Sequence, residues 1–302
     1  MLDDLSRLTA ADEGGFLARL AALPGSYDGP DGLRAEPYGL TGFGEASAPS
    51  SALRSWVDAP LVVSGTQFML ASGFDYGELG ALKVSLELSD TTVITLGHEA
   101  YKPDFRIEPG ALSLYTYASY LAHATGHSEA LAQAEAVMTT LRDTLRPEVE
   151  TERNPAKALA WALWNRVPLL IAPKGDAGVL NLVQRVFARV GKSLSISAGE
   201  HPLELLAGAF EGRHNLADDV VGVAVGSEDE EMRLAKEVLE TRAAQIESLD
   251  IPFGGVGEPL ADSGARALAL WYASLWVAAY LAFLHEQSPE DSQVYEALQK
   301  VQ

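Results

Sequence analysis

Cysteine is absent from all 302 residues, which excludes disulfides, thiolate nucleophiles and zinc-thiolate sites. Positive charge is scarce: 22 Lys and Arg stand against 42 Asp and Glu, a formal net charge of −20. Such a chain repels polyanions, so nucleic acid and anionic membrane surfaces are poor candidate partners and none is expected. A single phosphate group would have to be held locally, by backbone amides or a helix N-terminus. The opening Met1-Leu2-Asp3-Asp4-Leu5 is acidic where a secretory signal would be basic, and with the lack of cysteine this predicts a cytoplasmic address. Long apolar runs are nearly missing too. Only Ala267–Leu284 reaches the length of a membrane span, and its alanines and interior Tyr272 and Tyr280 predict a helix buried in a core or an oligomer interface instead.

What is present suits an enzyme-sized α/β protein. At 47% hydrophobic content the chain can fill a sizeable core, and its length suits two domains. The halves look alike. Ala59–Ser64 corresponds in character to Val167–Ala172, and Thr92–Gly97 to Val221–Gly226; all four read as buried parallel strands. Helical periodicity predicts helices over Glu13–Leu23, Leu112–Ala124, Glu129–Arg146, Pro155–Asn165, Gly178–Val190 and Glu230–Glu247. Alternating strands and helices predict an α/β class with mainly parallel sheets flanked by helices. The charged, proline-bearing stretch Arg146–Arg153 sets a boundary near residue 150, giving domains 1–150 and 151–302. Ser227-x-x-Glu230 reads as a capping box, and Ser288-Pro289 as the start of a last helix. Gly25–Ser51, rich in glycine, proline and serine, reads as a long functional or mobile loop.

The candidate chemistry centres on Phe210-Glu211-Gly212-Arg213-His214-Asn215, which sits between a strand-like apolar segment and Val220–Val225. An imidazole there stands in a loop of the kind that carries function in α/β proteins. Glu200-His201 is a further acid/base candidate on a solvated loop. His123 and His127 lie four apart, but Gly126 and the lack of an acidic partner read as a frayed helix end, so no metal site is expected. Gly254-Gly255-Val256-Gly257 lacks the strand and helix of a nucleotide loop and reads as a turn.

The segment Asn154-Pro155-Ala156-Lys157 followed by Arg166–Ile171, the pair His214-Asn215 after acidic Glu211, and the ending Ser288-Pro289 to Lys300 together resemble the bifunctional phosphoglucose/phosphomannose isomerases, which carry two sugar isomerase (SIS) domains. The resemblance implies two SIS domains, a homodimer with sites shared across subunits, and a sugar-phosphate substrate. It implies aldose–ketose interconversion through an enediolate with no metal, nucleotide or other cofactor. His214 would assist ring opening from the neighbouring subunit, and a Glu would move the proton, with Glu211, Glu200 and Glu204 as candidates. Substrate-binding positions would be Gly44, Ser47 and Ser50 in the glycine-serine turn, Ser72 in the phosphate loop, then Arg106, Ser292 and Lys300. The sequence departs from the pattern at Glu45, Asp75 and Glu78, where anions replace small or hydroxyl residues. Two readings follow: an active hexose-6-phosphate isomerase, or a non-catalytic sugar-phosphate-binding relative. A third is a ligand without phosphate, which acidic loops would tolerate better.

Overall fold

The computed structural model of the protein describes residues 1–54, 56–62, 64–72, 76–98, 102–174, 177–199, 201–209 and 219–290. The first half runs α1 (Leu5–Ala11), α2 (Phe16–Ala22), β1 (Tyr38–Gly44), α3 (Ser47–Leu53), β2 (Thr66–Ser72), α4 (Tyr76–Glu87), β3 (Thr92–Gly97), β4 (Phe105–Arg106), α5 (Ser113–Thr125) and α6 (Ser128–Leu145). The second runs α7 (Pro155–Leu163), β5 (Val167–Ile171), α8 (Ala177–Arg189), β6 (Ile196–Ser197), α9 (Pro202–Ala209), β7 (Val220–Val225), α10 (Glu230–Glu240), β8 (Gln245–Leu249) and α11 (Ser263–Leu284).

Two parallel four-stranded sheets result, ordered β1-β2-β3-β4 and β6-β5-β7-β8. The fold is therefore α/β with mainly parallel sheets, as the alternation predicts. Strands β2 and β7 are buried along their whole lengths, which is how interior strands of a parallel sheet covered on both faces must read. In the first sheet Phe43, Met69 and Ala71 pack against Leu79 and Leu86 of α4. In the second, Leu169, Ile171, Val220 and Ala224 pack against Met232, Ala235 and Leu239. Those last three residues recur at i, i+3 and i+7 and give α10 its apolar face.

Two compact units can be distinguished by their internal contacts. One contains Leu23–Val137 and Pro259–Ala269, with the first sheet. The other contains Met1–Ala22, Met138–Glu258 and the chain from Leu270, with the second sheet. Grouping therefore does not follow chain order, because the amino-terminal helices belong with the later sheet.

Several expectations are corrected. The strand expected at Ala59–Ser64 is β2, at Thr66–Ser72. Leu61 and Val62 are exposed, while the Leu61 carbonyl accepts from Thr41 Oγ1 at 2.5 Å and Gln67 Nε2 at 2.9 Å. Gln67 disguises the real strand: it is fully buried, and its amide is satisfied by Leu61, Thr41 and the Phe68 carbonyl. Gly25–Ser51 is not one long loop, since it supplies β1 and the start of α3. Here Gly42 has a packing reason: a Cβ would collide with the Ala46 carbonyl and Ser50 Oγ, which lie against the strand.

The helix expected to reach Glu247 stops at Glu240, and Gln245–Leu249 is edge strand β8, whose partial exposure accommodates Gln245 and Glu247. Ser227 is not the cap of α10. Asp229 is, its Oδ1 accepting from Met232 N at 2.8 Å. The apolar segment ahead of the histidine loop is a helix, α9, rather than a strand. The helix expected after Ser288-Pro289 falls outside the described residues.

Helix α11 is long and apolar enough to cross a membrane by composition, but all of its apolar window is buried within the protein. Gly254-Gly255 does form a turn: both residues have positive φ, of 58° and 80°, and Phe253 and Val256 exchange both backbone hydrogen bonds around them.

Candidate sugar-phosphate site

Ligands of open parallel sheets gather at the carboxyl ends of the strands. At that edge of the first sheet, Gly44 of β1 stands opposite Ser72 of β2. The turn after β1 is tied down by Glu45 N donating to the Ser72 carbonyl at 2.7 Å and Ala46 N donating to Phe43 O at 3.1 Å. Helix α3 follows, with Ser47 half-buried at its start. Ser50 is buried, and its hydroxyl donates to the Ser47 carbonyl at 2.8 Å. Four of the expected positions, Gly44, Ser47, Ser50 and Ser72, are thus brought to one sheet edge.

Arg106 ends β4, opposite Gly97 of β3. Its Nε donates to Glu108 Oε1 at 2.6 Å, and the side chain is more than half exposed. An anionic ligand recruiting Arg106 would compete with Glu108. The loop that carries Arg106 is held by Asp104, whose Oδ2 accepts from both the backbone N and Oγ1 of Thr95 at 2.8 Å.

Tyr117 of α5 is a site-edge residue that sequence reading missed, because an aromatic on an apolar helix reads only as core. Its hydroxyl donates to the carbonyl of Ala71, next to Ser72, at 3.3 Å. Burial pushes the phenol pKa well up, and the negative charge of Glu45 pushes it further. Tyr117 therefore remains a neutral donor.

In the second sheet the chain passes from β5 to β6 on one side and returns to β7 on the other, so the order reverses between β5 and β7. The crevice at this switch point is bridged by Lys174 N donating to Asp229 Oδ2 at 3.2 Å. Asp229 thereby ties the end of β5 to the cap of α10, a role invisible in the sequence. Residues 211–218 lie between α9 and β7, ahead of that strand in chain order.

His214, Glu211, Glu200, Ser292 and Lys300 lie outside the described residues. His201 is described: its Nδ1 is 3.9 Å from Glu231 Oε1 and its side chain is about half exposed. Glu204 sits exposed in the first turn of α9. Among the described residues no group of three or more His, Asp or Glu is arranged to hold a metal ion. His123 bonds Asp31 at 3.1 Å, whereas His127 bonds Thr125 Oγ1 at 2.9 Å.

The motif Asn154-Pro155-Ala156-Lys157 proves to be architectural. Asn154 is buried, caps α7 by accepting from Ala156 N and Lys157 N at 3.1 Å, and donates to the carbonyls of Leu145 and Arg146. Lys157, wholly buried, donates to Asp3 Oδ1 at 3.0 Å and Pro147 O at 2.8 Å.

The sequence matches the phosphoglucose isomerase N-terminal domain over residues 16–126 and the bacterial phospho-glucose isomerase C-terminal SIS domain over residues 152–301. No curated protein sequence matches it. Among solved structures, a glucose-6-phosphate isomerase-like protein from Thermus thermophilus is 31% identical, with 100% of this chain and 99% of that one covered at a TM-score of 0.85. Tagatose-6-phosphate ketose/aldose isomerase from Escherichia coli is 13% identical, covering 96% and 94% at a TM-score of 0.56. Glucosamine-6-phosphate deaminase from Thermotoga maritima is also 13% identical, covering 97% and 98% at 0.54. The last two share the fold; the matched domains and the Thermus relative show more, and the chain belongs to the bacterial phosphoglucose isomerase family of double SIS-domain proteins.

Proposed function

We propose that the protein interconverts an aldose and a ketose phosphate of the glucose 6-phosphate or mannose 6-phosphate type, through an enediolate and without a metal. The observation that carries this reading is full-length similarity to a glucose-6-phosphate isomerase-like protein. Moving a proton between C1 and C2 needs a base near neutral pKa within hydrogen-bond reach, and donors for the enediolate oxygen. His214 opens the sugar ring. A carboxylate, Glu211 or Glu200, carries the proton. Gly44, Ser47, Ser50, Ser72 and Arg106 hold the sugar phosphate, with Ser292 and Lys300 completing the site in a cytoplasmic homodimer.

The test is a coupled assay with glucose 6-phosphate, fructose 6-phosphate and mannose 6-phosphate, run beside His214→Ala. A fall of about 10²–10⁴-fold is expected for loss of a proton-transfer group. An unchanged rate would remove His214 from the mechanism. The second reading, a sugar-phosphate binder without turnover, is favoured by one observation: Glu45, an acidic residue, stands in the turn after β1 with its backbone N on the Ser72 carbonyl, at the edge where a phosphate would sit. Saturable ligand binding with no turnover in folded protein would decide for it.

A further inference from the structure

At the opposite, amino-terminal edge of the first sheet lies a cavity of about 510 Å³, within the ordinary size of a small-molecule site. Its floor is apolar, from Val93, Ile94 and the ring of Phe105, with the exposed Leu33 at its mouth. Phe105 is half-buried and stacks at 5.1 Å on Tyr120, whose body is buried. The rim is polar. Arg34 Nη2 donates to Tyr120 Oη at 3.3 Å, and no described carboxylate is within ion-pair distance of that guanidinium. Asp104 spends Oδ2 on Thr95, which leaves Oδ1 as an acceptor, and the exposed Thr92 adds a hydroxyl.

We propose that this cavity is a second ligand site, separate from the carboxyl-edge site, for an uncharged polyhydroxylated molecule the size of a hexose. One cation and one anion on the same rim cancel, and the chain's net charge of −20 opposes an anion, so a sugar without phosphate fits where a phosphosugar does not. The apolar floor and the Phe105 ring take the C–H face of such a molecule. Arg34 donates to its hydroxyls and Asp104 accepts from them, the mix of apolar wall and few convergent polar groups typical of small-ligand sites.

The experiment is equilibrium dialysis of the full chain with D-glucose, D-mannose and D-fructose. It compares wild type with Arg34→Gln, Thr92→Phe and His214→Ala. Saturable binding of one sugar per chain is expected, weakened about tenfold or more in Arg34→Gln by loss of a charged hydrogen bond. Thr92→Phe, which suits a strand and fills the cavity, should abolish it. Binding in His214→Ala should equal wild type and resist competition by glucose 6-phosphate. The proposal fails if no hexose binds, if both cavity variants bind like wild type, or if glucose 6-phosphate displaces the sugar. Binding of inorganic phosphate that depends on Arg34, without sugar binding, would make this an anion site and also overturn it. None of these results depends on turnover at the carboxyl-edge site.

Discussion

Lys157 Nζ, wholly buried on α7, lies 3.0 Å from the carboxylate of Asp3, 154 residues earlier in the chain. Asp3 also accepts from the backbone N and the hydroxyl of Thr151, both at 2.9 Å. The ring of Tyr280 lies 5.7 Å from the same ammonium, and its own hydroxyl donates to the Leu145 carbonyl. The first residues of the chain are thereby fastened to the opening of the later domain, through a charge that has no water to fall back on.

Removing one partner of this pair should cost more than removing both. Asp3→Ala leaves the buried Lys157 ammonium without its counter-charge, with only the Pro147 carbonyl as acceptor, and is expected to lower stability by about 1.5–3 kcal/mol, the usual range for a hydrogen bond to a charged group. Lys157→Met in the same chain should recover part of it, because the buried charge is gone. Urea denaturation of the two single variants and the double variant checks this; additive losses would mean that the pair is not coupled.

Acid should erase the effect of Asp3. Burial pushes its carboxyl up, but hydrogen bonds from Lys157 and Thr151 outweigh this and hold it below its usual value of 3.8. A carboxyl lowered by folding contributes stability above its unfolded pKa and loses it as pH falls through the folded value. The stability gap between wild type and Asp3→Asn should be full at neutral pH and close below about pH 4. A gap that persists in stronger acid would contradict the assignment.

Alkali should act through Tyr115. Its burial, and then its hydrogen bond to Glu135, push the phenol up to about 12. A raised phenol contributes stability that is complete below the unfolded pKa near 10 and is lost as pH rises through the folded value. Melting of wild type and Tyr115→Phe compared between pH 9 and 12 should show a shallower decline in the variant. Equal slopes would place the ionisation elsewhere.

Asn154→Ala should be among the most damaging single changes outside the hydrophobic core. It deletes the α7 cap, about 0.5–2 kcal/mol, and takes one donor from each of the Leu145 and Arg146 carbonyls, which keep the Tyr280 hydroxyl and Val149 N respectively. Asn154→Asp keeps the cap but turns a carboxylate towards the carbonyls of Leu145 and Arg146, so it should not rescue. Thermal denaturation distinguishes these from a surface role, in which both changes would be nearly silent.

Glu45→Gln tests the electrostatics of the β1–β2 edge. Removing one negative charge there should tighten the binding of a sugar phosphate severalfold, by roughly 1 kcal/mol at the effective dielectric of a protein surface. Titration with glucose 6-phosphate at low and high salt is the readout. Unchanged affinity at low salt would show that the carboxylate does not face the ligand.

Much of the architecture was legible because burial imposes simple patterns. Strands β3 and β7 and helices α5, α6 and α8 appear within a residue or two of where periodicity puts them, since a covered parallel strand must be apolar throughout and a helix must turn one stripe inward. Failures came where polar residues were buried or glycines carried the backbone. Gln67 hid β2, and Gly39, Gly42 and Gly44 made β1 look like loop. Motif resemblance singled out Gly44, Ser47, Ser50 and Ser72, which the fold gathers at one sheet edge, whereas Tyr117 and Asp229 had no local signal, because their partners Ala71 and Lys174 are distant in sequence.

By itself the sequence determined the α/β class and the lack of cysteine chemistry, which follow from composition and period, local or additive properties of the chain, and its motifs carried the family resemblance. Only tertiary structure decided that Asn154 and Lys157 fasten the start of α7 to Asp3 and to the carbonyls that end α6, that Met1–Ala22 belongs with the later sheet, and that Arg34 and Asp104 share a cavity rim. Each depends on residues far apart in sequence meeting where water is excluded, and no local pattern encodes that meeting.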